Sequence, residues 1–253
     1  MKVLFAIASY DRLDRQHFLT YLKGLGFGKD EIYISTQCGG DYAAYRERYG
    51  DDATILFREG KNVCDNKNTL VERLCGRGVP VIFASDKVKS LQYLGADGKA
   101  HDVTDRASFD RLVEWCYATA ARNRATVWGV YPTNNAYFMK RSASVDKMLL
   151  GCLMGFMPKA KIRFDPLFPL KEDFELSLRV IRDGGHTMRF NNLCLNATFH
   201  TKGGCFSFWN SEGDRVNEEC CRRIMAKYPT LAAKHPTRKN ELRYTGKSRT
   251  ISL

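Results

Sequence analysis

Residues 79–86 read Val-Pro-Val-Ile-Phe-Ala-Ser-Asp, and the fold turns on how this stretch is read. Pro80–Ala84 is apolar throughout, as a central parallel strand covered on both faces must be. Before it, Asn66–Cys75 reads as a helix with Leu70, Val71 and Leu74 facing inward, stopped by Gly76 and Gly78. After it come Ser85 and Asp86, two polar residues at the carboxyl end of an otherwise apolar strand.

The same alternation runs back to the start. Lys2–Ser9 reads as a strand, and Leu13–Leu25 as a helix with Phe18, Leu19, Leu22 and Leu25 on one face, broken by Gly24, Gly26 and Gly28. Glu31–Ser35 is a second strand, Asp41–Tyr49 a short helix and Thr54–Phe57 a third strand. This rhythm predicts an α/β fold with a Rossmann-like, mostly parallel central sheet flanked by helices. Ligands of such sheets sit beyond the carboxyl ends of the strands. The residues to examine are Ser9-Tyr10-Asp11-Arg12, Thr36-Gln37, Glu59 and Ser85-Asp86-Lys87. Neither GxGxxG nor GxxxxGK[ST] occurs, which weighs against a dinucleotide enzyme and a P-loop NTPase.

Beyond residue 90 the pattern changes. Tyr93–Thr104, with Asp97-Gly98, reads as turn and loop, and Ser108–Arg122 as an amphipathic helix carrying Leu112, Trp115 and Cys116. Val127–Tyr131 and Ala136–Met139 read as strands around Pro132-Thr133-Asn134-Asn135. Lys161–Phe164 leads into a loop marked by Pro166 and Pro169, and Glu172–Arg182 is a helix ended by Gly184-Gly185. Met188–Phe190 and Leu193–Thr198 are later strands, and the remainder reads as mostly helical and polar with a basic tail, Arg238–Leu253. With no internal repeat and no low-complexity linker, the expectation is a single domain, 1–253. Residues 1–90 form its nucleotide-binding half, 91–205 its acceptor and catalytic half, and 206–253 a helical and basic end.

A chain of 253 residues buries one full core. Forty Lys and Arg against 28 Asp and Glu give a net charge of +12, which favours a polyanion or a diphosphate ligand. The opening KVLFAIASYDRLDR is too short an apolar run for a secretory signal, and Asp11 and Arg12 interrupt it. No stretch approaches the roughly 18 apolar residues of a membrane span. Nine cysteines without a secretory signal suggest reduced thiols in a cytoplasm. Cys194, His200, Cys205 and Cys220 have the chemistry for zinc, but their spacing fits no closed zinc motif.

Individual candidates each carry two readings. Asp86, at a strand end, can hold a divalent metal or cap the next helix. Glu172-Asp173 opens a helix, where the macrodipole alone favours acids. There Asp173 stays ionised, while Phe164, Phe168 and Phe174 would raise its basicity by desolvation, as a general base needs. His200, beside Thr201-Lys202-Gly203-Gly204, is a metal ligand or an exposed histidine. Lys67 and Asn68, in the first turn of a helix, suit a phosphate or are solvated.

The order of these features resembles the GT-A class of glycosyltransferases, and within it the TET-associated glycosyltransferases of bacteriophages, relatives of the base J glucosyltransferase. The resemblance lies in IASYDR, NKNTLVERL, VIFASD, GVYPTNNAYF, IRFDPLFPLKEDFELSLRVIRDGG and TFHTKGG, from residue 3 to about 205. It implies that Ser9, Tyr10 and Arg12 line the nucleoside pocket and that Lys67 approaches the diphosphate, with Asn68, Ser85 and Lys202 as further donor contacts. Asp86 and His200 would hold a divalent metal, Mn²⁺ or Mg²⁺. Asn134 and Asn135 would face the donor sugar or acceptor, Asp173 would be the general base, and Glu172 would bind hydroxyls. The family's motif is usually a run of aspartates. Here Ala84-Ser85-Asp86 keeps one acid, which points to weaker metal binding, a metal held chiefly by phosphates and His200, or a metal-independent or degenerate enzyme.

The implied reaction moves a sugar from a nucleotide-diphosphate donor, a UDP-sugar, to the hydroxyl of a 5-hydroxymethylpyrimidine in DNA, in a host cytoplasm. That base is presented single-stranded or outside the stack, with Phe206, Phe208 and Trp209 as candidate stacking partners. Two other readings stand beside it: a transferase of the same class acting on a glycan or protein, and a DNA-binding relative that has lost catalysis.

Overall fold

The computed structural model describes residues 1–37, 39–198 and 212–253. In chain order the first half comprises β1 (Leu4–Ala8), α1 (His17–Gly24), β2 (Ile32–Thr36), α2 (Gly39–Tyr49), β3 (Thr54–Phe57), α3 (Val63–Leu74) and β4 (Val81–Ser85). Then come β5 (Val88–Leu94), β6 (Ala100–Asp102), α4 (Arg106–Arg122), β7 (Ala125–Val130), β8 (Ser142–Val145) and β9 (Leu153–Phe156). The last part holds α5 (Glu172–Arg182), β10 (His186–Phe190), β11 (Leu193–Ala197), α6 (Gly213–Lys227), β12 (Ala232–Lys234), β13 (Leu242–Tyr244) and β14 (Arg249–Ser252).

A nine-stranded sheet in the order β14-β8-β10-β7-β9-β4-β1-β2-β3 forms the middle layer. β1 pairs in parallel with β2 and β4, β2 with β3, and β10 with β7. β9 lies antiparallel between β4 and β7, and β8 antiparallel between β10 and β14. Alternate side chains of β1 go to opposite faces, as the pleat requires. Phe5 and Ile7 pack with Phe18, Leu22, Phe109 and Val113 of α1 and α4, whereas Leu4 and Ala6 pack with Leu70, Leu74 and Leu176 of α3 and α5. A smaller core joins Leu178 of α5 to Ile224 and Tyr228 at α6 and to Leu242 of β13.

Several elements depart from the sequence reading. Val88–Leu94 and Ala100–Asp102 form a hairpin in a second sheet with β11, where a loop was expected from residue 93. In β5 the adjacent Ser90 and Leu91 are both buried while Lys89 and Tyr93 are exposed, so the strand shows no clean alternation. Ala136–Phe138 is a turn of 3₁₀ helix rather than a strand, because the Asn135 side chain caps it by accepting from the Tyr137 amide. Ser142–Val145 and Leu153–Phe156 are strands too short and too glycine- or serine-rich to announce themselves. Within β9, Gly155 is obligatory: a Cβ there would run into the Trp128 indole. The C-terminal part is less helical than expected, since β12, β13 and β14 follow α6, and β14 joins the main sheet inside the basic tail. Among the described residues no helix is long and apolar enough to cross a membrane.

Candidate active site

The chain leaves β1 through Ser9 and Tyr10 and turns at Asp11, whose φ of 51° lies in the left-handed region that aspartate tolerates. This turn brings Arg12 back beneath Asp86 at the end of β4. Both side chains are buried, with Arg12 Nη1 3.3 Å from Asp86 Oδ1. Asp86 Oδ2 accepts from Ser9 Oγ at 2.9 Å. Ser9 Oγ also lies 2.8 Å from the Tyr45 hydroxyl of α2 and accepts from Gln16 Nε2 at 2.7 Å. Burial pushes the Asp86 carboxyl up, and the Arg12 guanidinium and the Ser9 hydroxyl pull against it.

Around this knot several buried polar atoms have no hydrogen-bond partner among the described residues. They are Ser35 Oγ, Thr36 Oγ1 and Gln37 Oε1 at the end of β2, Asn66 Oδ1 of α3, and Gln16 Oε1. Ser35 and Thr36 are fully buried, and Asn66 is anchored by its other amide atom, which donates to Ser9 O at 3.0 Å. An unmade buried hydrogen bond costs about 1–3 kcal/mol. Such groups near the carboxyl edge of a parallel sheet call for polar partners, water or ligand.

The second part of the site is the start of α5. Asp173 Oδ2 accepts from the Gly151 amide at 2.7 Å, and Oδ1 from the Phe174 amide at 2.8 Å. A Cβ at Gly151 would stand 3.0 Å from the Asp173 Cβ, so the loop before β9 needs glycine to come this close. Desolvation and the neighbouring Glu172 push the Asp173 carboxyl up to about 6, against Lys67 and the two amides. Lys67 Nζ lies 2.6 Å from Glu172 Oε1 and 4.9 Å from the centre of the Phe164 ring. Burial lowers the lysine, but Glu172 and Asp173 outweigh it and its net shift is upward.

Two pairs of consecutive residues tie the parts together. Asn66 donates to Ser9 while Lys67 pairs with Glu172. Gly151 donates to Asp173 while Cys152 O accepts from the Ser85 amide at 2.9 Å. The ends of β1 and β4 and the start of α5 are therefore tied together at one edge of the sheet.

The structure gathers Ser9, Arg12, Ser85, Asp86, Lys67, Glu172 and Asp173 here, with Tyr10 half-buried in the loop after β1. Asn68 differs from expectation. α3 begins at Val63 behind an Asn62 cap, so Lys67 and Asn68 are not in its first turn. The Asn68 amide is spent on Phe164, donating to its O and accepting from its N, both at 2.8 Å. Asn134 and Asn135 lie exposed in the loop after β7. His200 and Lys202, and with them Cys205, Phe206, Phe208 and Trp209, lie outside the described residues. Ser35, Asn66, Gln16, Tyr45 and Gly151 were not read from the sequence. Ser35 had a signal as a polar residue closing an apolar strand, whereas Gln16 and Tyr45 had none, since only the fold brings α1 and α2 to Ser9.

A divalent metal fits poorly with what surrounds Asp86. Both carboxylate oxygens already have partners, and the nearest charge is a buried guanidinium that a cation would have to displace. Among the described residues no group of three or more His, Cys, Asp or Glu side chains could hold a metal ion. That statement covers the zinc candidates only through Cys194 and Cys220, both buried free thiols.

No protein-family model matches the chain, and no curated protein sequence matches it. Solved structures do. Residues 1–349 of S. aureus TarS are similar with a TM-score of 0.51 at 11% identity, over 89% of this chain and 66% of that one. A longer S. aureus TarS structure gives 0.51 at 12% identity, over 89% of this chain and 40% of that one. A mycobacterial protein gives 0.51 at 9% identity, over 99% of this chain and 84% of that one. This chain thus spans less than two thirds of the longer TarS structure and 66% of the shorter. At such identities the likeness is one of fold, and the fold is GT-A-like, a large and mostly parallel sheet flanked by helices.

Proposed function

We propose that the protein is a glycosyltransferase that moves a sugar from a UDP-sugar to a hydroxyl, and that the hydroxyl belongs to a 5-hydroxymethylpyrimidine in DNA. The observation that carries the reading is the set of unpartnered buried polar atoms on Ser35, Thr36, Gln37, Asn66 and Gln16. They lie at the carboxyl end of β2 and on the segments beside it, and Asn66 immediately precedes the Lys67 that pairs with Glu172, next to a carboxylate pushed up to about 6. A nucleoside satisfies such atoms with its base and ribose, and a base poised near neutrality suits proton removal from an alcohol. The acceptor part is supported by the charge of +12 and by the sequence resemblance.

As the donor's bond to its diphosphate breaks, the anomeric carbon gains positive character and the leaving group gains negative charge. Asp173 takes the acceptor proton as the new C–O bond forms. Its two amide hydrogen bonds fix the carboxylate, leaving its remaining lone pairs for the alcohol. Glu172, held by Lys67, offers an acceptor to sugar hydroxyls. Arg12, anchored on Asp86, keeps positive charge at the donor end of the site.

Thr36→Val and Ser35→Ala test the donor pocket, because each removes an oxygen that no described residue uses. The expected result is unchanged or slightly higher stability with UDP affinity weakened about tenfold, the worth of one buried hydrogen bond. Failure of the wild-type protein to bind any nucleoside diphosphate in calorimetry would overturn the reading.

A further inference from the structure

The most exposed large hydrophobic side chain among the described residues is Tyr137, 86% exposed, and its neighbour Phe138 is 53% exposed. Their ring centroids are 5.0 Å apart and nearly perpendicular. The turn that carries them is firmly held. Asn135 Oδ1 accepts from the Tyr137 amide, the Phe138 amide donates to Asn135 O, the next residue Met139 is buried, and the Lys140 amide donates to Asn191 O. Two rings kept in water on a pinned turn are a surface built for contact.

Its location gives the contact a direction. The turn follows β7, and β7 pairs with β9 through Gly129 and Met154. The loop into β9 carries Gly151, the hydrogen-bond donor to Asp173. The sheet order β7-β9-β4-β1-β2 therefore sets the two rings on the side of Asp173 opposite the polar pocket at β1 and β2.

Cations follow the rings in the sequence. Residues 115–145 contain no Asp or Glu, and Lys140 and Arg141, which directly follow the rings, are both exposed. Arg189, held by Asn191 Oδ1 at 2.9 Å, stands 5.1 Å from the centre of the Tyr131 ring at the root of the loop. Exposed aromatic faces followed directly by exposed cations, with Arg141 also donating to Gly95 O at 3.2 Å, match a strand that carries both stacked bases and phosphates.

We infer that Tyr137 and Phe138 form a stacking platform for single-stranded nucleic acid, with Lys140 and Arg141 taking the adjoining phosphates. This deepens the proposed reading by naming the surface that receives the acceptor strand. It accounts for how a base reaches Asp173, since a base must leave the duplex stack before its substituent can be modified.

The test is fluorescence anisotropy with a short fluorescein-labelled single-stranded DNA, with UDP calorimetry run beside it on each protein. Tyr137→Ala with Phe138→Ala should weaken oligonucleotide binding about tenfold or more, the worth of one stacked base, and leave UDP binding and melting temperature unchanged. Tyr137→Trp should preserve binding. Lys140→Ala with Arg141→Ala should flatten the dependence on salt by about two phosphates' worth. No binding by the wild-type protein, or equal binding by the double-alanine variant, overturns the inference. UDP binding fails or holds independently, so loss of the transferase reading is told apart from loss of the platform. Capture of a neutral polysaccharide through the same two rings, without oligonucleotide binding, would also overturn it.

Discussion

The Gly151 amide donates to Asp173 Oδ2 at 2.7 Å, and a Cβ added at Gly151 would stand 3.0 Å from the Asp173 Cβ and 3.1 Å from that oxygen. One glycine thus both orients the carboxylate and sets how closely the loop before β9 approaches it. Gly151→Ala, which forces the Asp173 side chain to shift by a few tenths of an ångström, is expected to reduce kcat about tenfold while KM for the donor stays near its original value. Steady-state kinetics alongside a melting curve checks this, and a fully active Gly151→Ala protein contradicts it.

The pair Lys67 and Glu172 pulls the base in opposite directions. Activity should rise with pH through about 6 as Asp173 ionises. Lys67→Met removes a charge that lowers the carboxyl and should move the midpoint to higher pH. Glu172→Gln removes one that raises it and should move the midpoint to lower pH. The profile of kcat/KM against pH reads both shifts, and shifts of the same sign would be inconsistent with the geometry.

Stability carries the same signature. The Asp173 carboxyl lies above its ordinary value of 3.8 in the folded state, so its stabilising contribution is present at low pH and is lost as pH rises through about 6. Asp173→Asn should therefore melt higher than wild type above pH 6, and the difference should vanish below about pH 4. A difference that grows on acidification would mean the carboxylate is favoured by its surroundings.

Asp86 is the counter-charge of Arg12, with both its oxygens engaged. UDP binding is accordingly expected to persist in excess chelator with its Kd changed by less than about threefold, a fraction of a kcal/mol. Asp86→Ala should destabilise the fold by about 3–5 kcal/mol, because it removes the carboxylate that faces a buried guanidinium. Calorimetry with and without Mn²⁺, and urea unfolding, measure the two effects. Binding that disappears on chelation would show that a cation displaces Arg12.

The smaller core depends on one acid. Glu175 on α5 is fully buried, accepts from the Tyr228 hydroxyl at 2.7 Å and pairs with Lys227 at 2.9 Å and Arg179 at 3.3 Å. Glu175→Ala should cost about 2–4 kcal/mol in chemical unfolding, since three donors lose their acceptor. Because α5 begins at Glu172, the same change should blunt activity at temperatures well below the melting point.

Much of the first half of the fold was legible because its strands are apolar runs and its helices carry clean inward faces, as in Val81–Ser85 and Val63–Leu74. The charged pair at Glu172-Asp173 was legible for the same local reason, standing at a helix start after prolines. What the sequence hid was long-range. β9 is four residues long and antiparallel, so neither its length nor its pattern signals a central strand. Gln16 and Tyr45 reach Ser9 from different helices, and nothing local marks them. Nothing local to Lys67 announced that the fold would set Glu172 beside it.

Transfer of a sugar is read directly by mass spectrometry. The protein is incubated with a panel of UDP-sugars and single-stranded DNA containing 5-hydroxymethylcytosine or 5-hydroxymethyluracil, and the digested nucleosides are weighed. A gain of one sugar residue on a hydroxymethylated base, lost in Asp173→Asn, is the expected result. Unmodified nucleosides with every donor, from a protein that binds UDP and the DNA, would contradict it.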